Sequence, residues 1–205
     1  MHLPMPFDLF AALLGFAAAT SWTPGPNNLM MMNSGVNFGF LRTIPHMAGV
    51  SIGFPLMIVL VGLGIGGVFD AVPQLYLVLK VVSIAYMLWL AWRIANAGPL
   101  KKEAAAATRP MRFYEAVLFQ WVNPKAWTMA LSGAATYTLP GKYLLTLLIM
   151  AATFLVVNLP GCAAWTAFGT SLRKLLQDER RVRIFNWGMA LLLIASLAPV
   201  LGELR

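Results

Sequence analysis

The sequence predicts an all-α membrane protein, with six transmembrane helices arranged as two inverted three-helix repeats and helices 1 and 4 broken. Three observations lead there. Of the 205 residues, 60% are hydrophobic and 11% charged, with a mean hydropathy of +0.74; soluble domains are roughly half apolar and about a quarter charged. The apolar inventory is about 123 residues, close to six times the about 20 that one spanning helix needs. Finally, the apolar residues lie in continuous runs, which selects helices over the period-two, ten-residue pieces of a β-barrel.

The first run, about residues 7–33, is interrupted by Thr23-Pro24-Gly25-Pro26-Asn27-Asn28. No Lys or Arg precedes it, so the basic region of a cleaved signal peptide is missing and the run reads as a retained first span. The second, about 43–69, contains Pro55 and ends on Gly62, Gly64, Gly66 and Gly67; His46 opens it and reads as interfacial. The third, about 74–95, carries Lys80 near its outer start, where a lysine stem can snorkel toward the headgroups. The fourth, about 113–138, contains Asn123-Pro124-Lys125; the fifth, about 143–172, contains Asn158-Leu159-Pro160-Gly161; the sixth is about 184–201. Each can cross a hydrocarbon core of about 30 Å with some tilt.

A pI near 10.1 and a net charge of +8 would suit a nucleic-acid binder, but the positions of the basic residues argue otherwise. Arg42, Arg93, Lys101, Lys102, Arg109, Arg112, Arg173, Lys174, Arg180, Arg181 and Arg183 fall in three loops on one side, against Lys142 and Arg205 on the other. The positive-inside bias puts those loops in the cytoplasm and both termini outside, and leaves no case for a nucleic-acid partner. Trp89, Trp92 and Trp187 stand where interfacial anchors belong. The stretch about 97–111 separates a first repeat, about 1–96, from a second, about 112–205. Because three spans is an odd number, the halves cross in opposite senses, as in inverted-repeat transporters. At a constant offset, Pro26, Met31, Ser34 and Gly35 fall on Pro124, Met129, Ser132 and Gly133.

The chemistry concentrates at two interruptions. Prolines donate no backbone hydrogen bond and push the preceding residue out of helical geometry, so Pro24 and Pro26 must break helix 1 around Gly25. Such a break marks either a polar site within the membrane or the end of a short span. On the first reading Asn27 and Asn28 open a second half-helix whose free N–H groups and positive dipole end can hold a carboxylate, while unwound carbonyls take cationic groups. A zwitterionic amino acid satisfies both. Lys125, beside Asn123 and Pro124 within an apolar span, costs about 3 kcal/mol on insertion scales and is a functional candidate. It reads as a carboxylate contact or a proton-coupled charge, or else as a snorkelling side chain. Asn158 is an amide contact or a helix-packing residue. Glu115 and Asp8 sit near span ends and read as solvated.

Catalytic and metal constellations are missing: the sequence has no HExxH, GxSxG or Walker A pattern and no pair of intramembrane carboxylates. The lone Cys162 excludes an intramolecular disulfide or CxxC site. No catalytic residue, metal or cofactor is therefore expected. An exporter of some other small metabolite, or a non-transporting membrane module whose breaks serve packing only, fits the same residues.

Thr23-Pro24-Gly25-Pro26-Asn27-Asn28, Ala48-Gly49 with Gly53, Ala85-Tyr86 through Trp89-Leu90-Ala91-Trp92, and Asn123-Pro124-Lys125-Ala126 together resemble the LysE/RhtB family of amino-acid exporters, over nearly the whole chain. Within it the arrangement is similar to the cysteine/O-acetylserine and homoserine/threonine exporter subgroup. The resemblance implies a multi-pass protein of the bacterial inner membrane that expels small amino acids or their derivatives by proton antiport with alternating access. It also implies that both motifs lie at functional breaks. Which amino acid is carried, and whether copies of the chain associate, stay open.

Overall fold

The computed structural model describes residues 5–96, 109–173, 176 and 178–198. Most of the linker expected over 97–111, the basic residues Lys101, Lys102, Lys174 and Arg205, the last residues of the sixth segment and both chain ends lie outside the described residues.

The described chain is helical. α1 spans Phe7–Trp22, α2 Pro26–Phe38, α3 Phe40–Leu60, α4 Gly66–Ala71, α5 Pro73–Ala95, α6 Phe113–Phe119, α7 Pro124–Tyr137, α8 Tyr143–Leu172 and α9 Glu179–Ala195. Boundaries follow local chemistry. Pro26 and Pro124 each occupy the first turn of a helix, where the missing N–H costs nothing. α2 turns into α3 at Gly39, whose φ of 80° favours glycine. α3 therefore starts three residues before the expected boundary. α9 starts at Glu179, earlier than expected, because the Asp178 carboxylate accepts the Arg180 N–H as an N-cap. α3 continues into a wide turn, Val61–Ile65, that Gly64 (φ 128°) interrupts.

Among the described residues, Phe40–Gly64, Leu77–Ala95 and Tyr143–Leu172 are long and apolar enough to cross a bilayer by themselves. α1, at 16 residues, is shorter. Segments one and four are divided, as expected, at residues 23–25 and at Asn123.

α8, 30 residues long, forms the spine. Its Leu147, Met150 and Phe154 are fully buried among Leu13 and Ala17 of α1, Phe54, Met57 and Ile58 of α3, and Trp127 and Ala130 of α7. α5 and α9 pair through Met87, Ala91 and Ile94 against Met189, Ala190 and Leu193. Side chains such as Leu77, Val81, Leu144, Val156 and Leu191 stand exposed, a density of outward apolar surface that a bilayer accommodates and water does not.

The helix contacts carry direction. Phe16 meets Phe154, and the Trp22 indole donates to the Val157 carbonyl at 3.3 Å, while Thr170 Oγ1 reaches the Gly35 carbonyl at 3.4 Å. Residue numbers rise together, so α1 and α2 run parallel to α8. Tyr143 donates to the Gly62 carbonyl and Phe54 meets Phe154, so α3 runs antiparallel to α8. Gly49 lies against the Phe113 carbonyl and Gly53 against Val117, so α3 and α6 are parallel. Glycines allow these approaches: a methyl group on Gly35 would collide with the Thr166 carbonyl, and one on Gly169 with that of Met32.

Two polar side chains are covered by neighbouring helices, and for Lys80 a sequence expectation is corrected. His46 is 1% exposed, because Gly49 and Gly53 draw α6 down onto the same face of α3. Lys80 is 7% exposed and does not snorkel. It stands on the stripe Lys80, Ser83, Met87, Ala91 and Ile94, the face of α5 turned into the protein.

Candidate functional site

Thr23 leaves α1 with ψ 147° and Gly25 is fully extended at φ −177°, ψ 177°. This short extended stretch presents its carbonyls sideways instead of to a following helical turn. On the other side of the protein's interior, Asn123 (φ −92°, ψ 107°) breaks the second interrupted segment and sends its side-chain oxygen to the Lys125 N–H at 3.1 Å. The two breaks meet. Lys125 Nζ donates to Thr23 Oγ1 at 2.9 Å, to the Thr23 carbonyl at 3.2 Å and to the Pro24 carbonyl at 3.5 Å. Gly25 leaves room for this approach: a methyl there would lie 2.9 Å from Lys125 Cδ, and the lysine stem would have to shift.

Amides brace the junction. Asn28 Nδ2 donates to the carbonyls of Ser21 at 2.7 Å and Thr23 at 2.8 Å, answering groups at the end of α1 that no helical N–H can reach. Asn27 Nδ2 donates to Gln120 Oε1 at 2.9 Å, and Gln120 Nε2 returns a bond to Asn27 Oδ1 at 3.3 Å. Trp165 donates to the Trp22 carbonyl at 3.2 Å, fastening the end of α1 to α8.

Between the breaks lies a cavity of about 340 Å³, counting its open mouth, lined by Thr20, Ser21, Gly25, Asn27, Asn28, Phe54, Asn123, Lys125, Ala126, Met129 and Asn158. Its ends differ electrostatically. No side chain caps the N-terminus of α2, so the first-turn amides of Asn27 and Asn28 keep a positive end toward an anion. α7 is capped by its own Asn123. Lys125 adds a half-buried ammonium, and the exposed Thr23 and Pro24 carbonyls add acceptors. Small molecules with one anionic and one cationic group match this pattern.

Of the residues singled out in the sequence, Gly25, Asn27, Asn28, Asn123, Lys125 and Asn158 converge on one cavity from three helices or their N-caps. Pro24 contributes its carbonyl to Lys125. Pro26 and Pro124 start the two half-helices and line nothing. The amides of Asn27 and Asn28 are engaged with protein partners, which leaves backbone N–H groups as the contacts they offer. Sequence reasoning missed Gln120, Phe54 and Met129. Gln120 is fully buried, and a glutamine seven residues into an apolar run is the signal that could have flagged it. Phe54 and Met129 carry no such signal. Among the described residues no group of His, Cys, Asp or Glu could hold a metal ion.

A family of LysE type translocators matches residues 18–201. The chain is 30% identical over 190 residues to a cysteine/O-acetylserine efflux protein of Escherichia coli O1:K1, covering 91% of this chain and 94% of that one. The same-named protein of Escherichia coli O157:H7 gives equal figures. That of Klebsiella pneumoniae is 28% identical over 196 residues, covering 95% and 98%. No solved structure gives a significant match.

Proposed function

Because the chain belongs to the LysE type translocator family, it is a membrane transport protein and not an enzyme, and we propose that it exports small zwitterionic amino acids of the cysteine and O-acetylserine class. The observation that carries this reading is Lys125, whose ammonium crosses from one helix break to the carbonyls of the other, 2.9–3.5 Å away, beside the uncapped start of α2. The substrate carboxylate lies between Lys125 and the α2 amides, and its ammonium takes the place of Lys125 on the Thr23 and Pro24 carbonyls. Asn158, 6% exposed at the cavity wall, orients the side chain.

The membrane arrangement we propose is six spans in two inverted repeats, in the bacterial inner membrane with both termini outside. The parallel pairing of α1–α2 with α8 and of α3 with α6, and the antiparallel pairing of α3 with α8, support it. Alternating access with proton antiport supplies the driving force. Purified protein in liposomes, preloaded with unlabelled O-acetylserine and given labelled O-acetylserine outside, tests the reading. Transient uptake above that of empty liposomes is expected. Liposomes with correctly folded protein and no counterflow for cysteine, O-acetylserine, serine or homoserine overturn it.

A further inference from the structure

The cavity contains no side chain other than Lys125 that can carry a proton, and a second buried polar site lies apart from it. His46 of α3 is 1% exposed; its Nδ1 is hydrogen-bonded to Ser34 Oγ of α2 at 3.1 Å, and its Nε2 has no hydrogen-bond partner among the described residues. Buried polar atoms are mostly paired in proteins; of the side chains left with a bare atom here, which include the hydroxyls of Ser21, Ser51 and Ser83, the imidazole is the one that takes up a proton near neutral pH. Phe54, eight residues along the same helix, lines the cavity, which places His46 about 12 Å away along the axis. α3 enters from the end carrying Arg42, so His46 stands between the cavity and the loop side of the protein.

We propose that His46 binds and releases the proton that drives export, with the α2–α3–α6 junction as the place where water reaches it in turn from either side. This rests on the transport reading above. With Nδ1–H directed at Ser34, the Nε2 lone pair is free to take a proton from hydronium, giving an imidazolium and water; transfer of that proton to water on the other side re-forms hydronium and restores the neutral ring. No other bond changes. Sealed as it is here, the ring hydrogen-bonds to no carboxylate, the charge of Glu115 that reaches it being held by Arg109, and a charge buried without water is unfavourable. Opening the junction to water removes that penalty, so protonation and the opening of α2 against α3 are linked.

Few other groups compete for the role. α2 carries no titratable side chain. α6 contributes Glu115, whose charge reaches His46 but which is already held by Arg109 at 2.7 Å and by the Arg112 N–H at 2.7 Å. α8 brings the buried thiol of Cys162 to the same level. Lys125 and Tyr137 of α7 belong to the cavity side, and Arg42 lies on the first turn of α3 itself.

The test uses the full-length protein in liposomes, with labelled O-acetylserine, measured as counterflow without a pH gradient and as accumulation against one. Wild type does both. His46→Gln keeps counterflow and loses the stimulation by the gradient, whereas Ser34→Ala stays coupled with the pH midpoint of gradient-driven transport shifted. Gradient stimulation in His46→Gln equal to that of wild type overturns the assignment. Should His46→Gln lose counterflow as well, Ser34→Ala decides: an unmoved midpoint overturns the proposal, and a shifted one sustains it. Wild-type counterflow with no response to a gradient also overturns it. Absence of counterflow in the wild type defeats the transport reading itself, which is a distinct outcome.

Discussion

Lys125→Met removes the ammonium while keeping a side chain of similar length. The methylene stem still covers Gly25, and the two carbonyls it leaves are not orphaned: Thr23 and Pro24 are exposed, and the Thr23 carbonyl retains the Asn28 amide at 2.8 Å. Fold stability should therefore move by no more than about 1 kcal/mol. Substrate binding loses one charge-assisted hydrogen bond to the carboxylate, about 1.5–3 kcal/mol, which is about 10- to 150-fold in affinity. The assay is counterflow of labelled O-acetylserine over a range of concentrations, with equal protein per liposome confirmed by blotting and folding by size-exclusion chromatography. The half-saturating concentration should rise by that factor. A half-saturation equal to that of wild type would show that the ammonium does not meet the substrate, and the placement of the carboxylate would be refuted.

Other substitutions probe the frame. Gly169→Ala drives a methyl into the Met32 carbonyl, a backbone collision that should cost about 1–3 kcal/mol and lower the Tm in detergent; an unchanged Tm would mean α2 and α8 are not so close. Asn27→Ala and Gln120→Ala each break the reciprocal amide pair, so a double-mutant cycle on stability should return a coupling of about 0.5–1.5 kcal/mol, and strict additivity would deny the pairing. Asn123→Ala deletes the cap on α7 and should cost about 1 kcal/mol of thermal stability, which Asn123→Ser should largely restore.

What could be read from the sequence was whatever has a local cause. Pro24, Pro26 and Pro124 break helices wherever they are placed, so both interruptions were visible before any packing was known, and so was the oddity of Lys125 in an apolar run. That the interruptions touch depends on α1 and α7 crossing, which nothing in either motif specifies. The burial of His46 and of Lys80 was not legible for a related reason. Their surroundings are set by which helix covers them, and for His46 that is decided by Gly49 and Gly53, residues whose message is the absence of a side chain. Gln120 was overlooked because its partner, Asn27, lies 93 residues away.

The bonds from Lys125 to Thr23 and Pro24 mean that the empty cavity is not waiting with unmet polar groups. On the proposed placement a ligand unseats Lys125 and takes over its acceptors, so the bonds that Lys125 gives up are subtracted from the charge-assisted contact it makes to the carboxylate, and the free energy of holding cargo is what remains of that exchange. Grip is thereby traded for release. A carrier that clears surplus metabolite meets its cargo at high concentration and needs chiefly to let it go, since binding that is too favourable stalls passage. On the proposed placement of the substrate, the lysine is a resident stand-in for the cargo's own ammonium group and resumes its seat as each molecule departs.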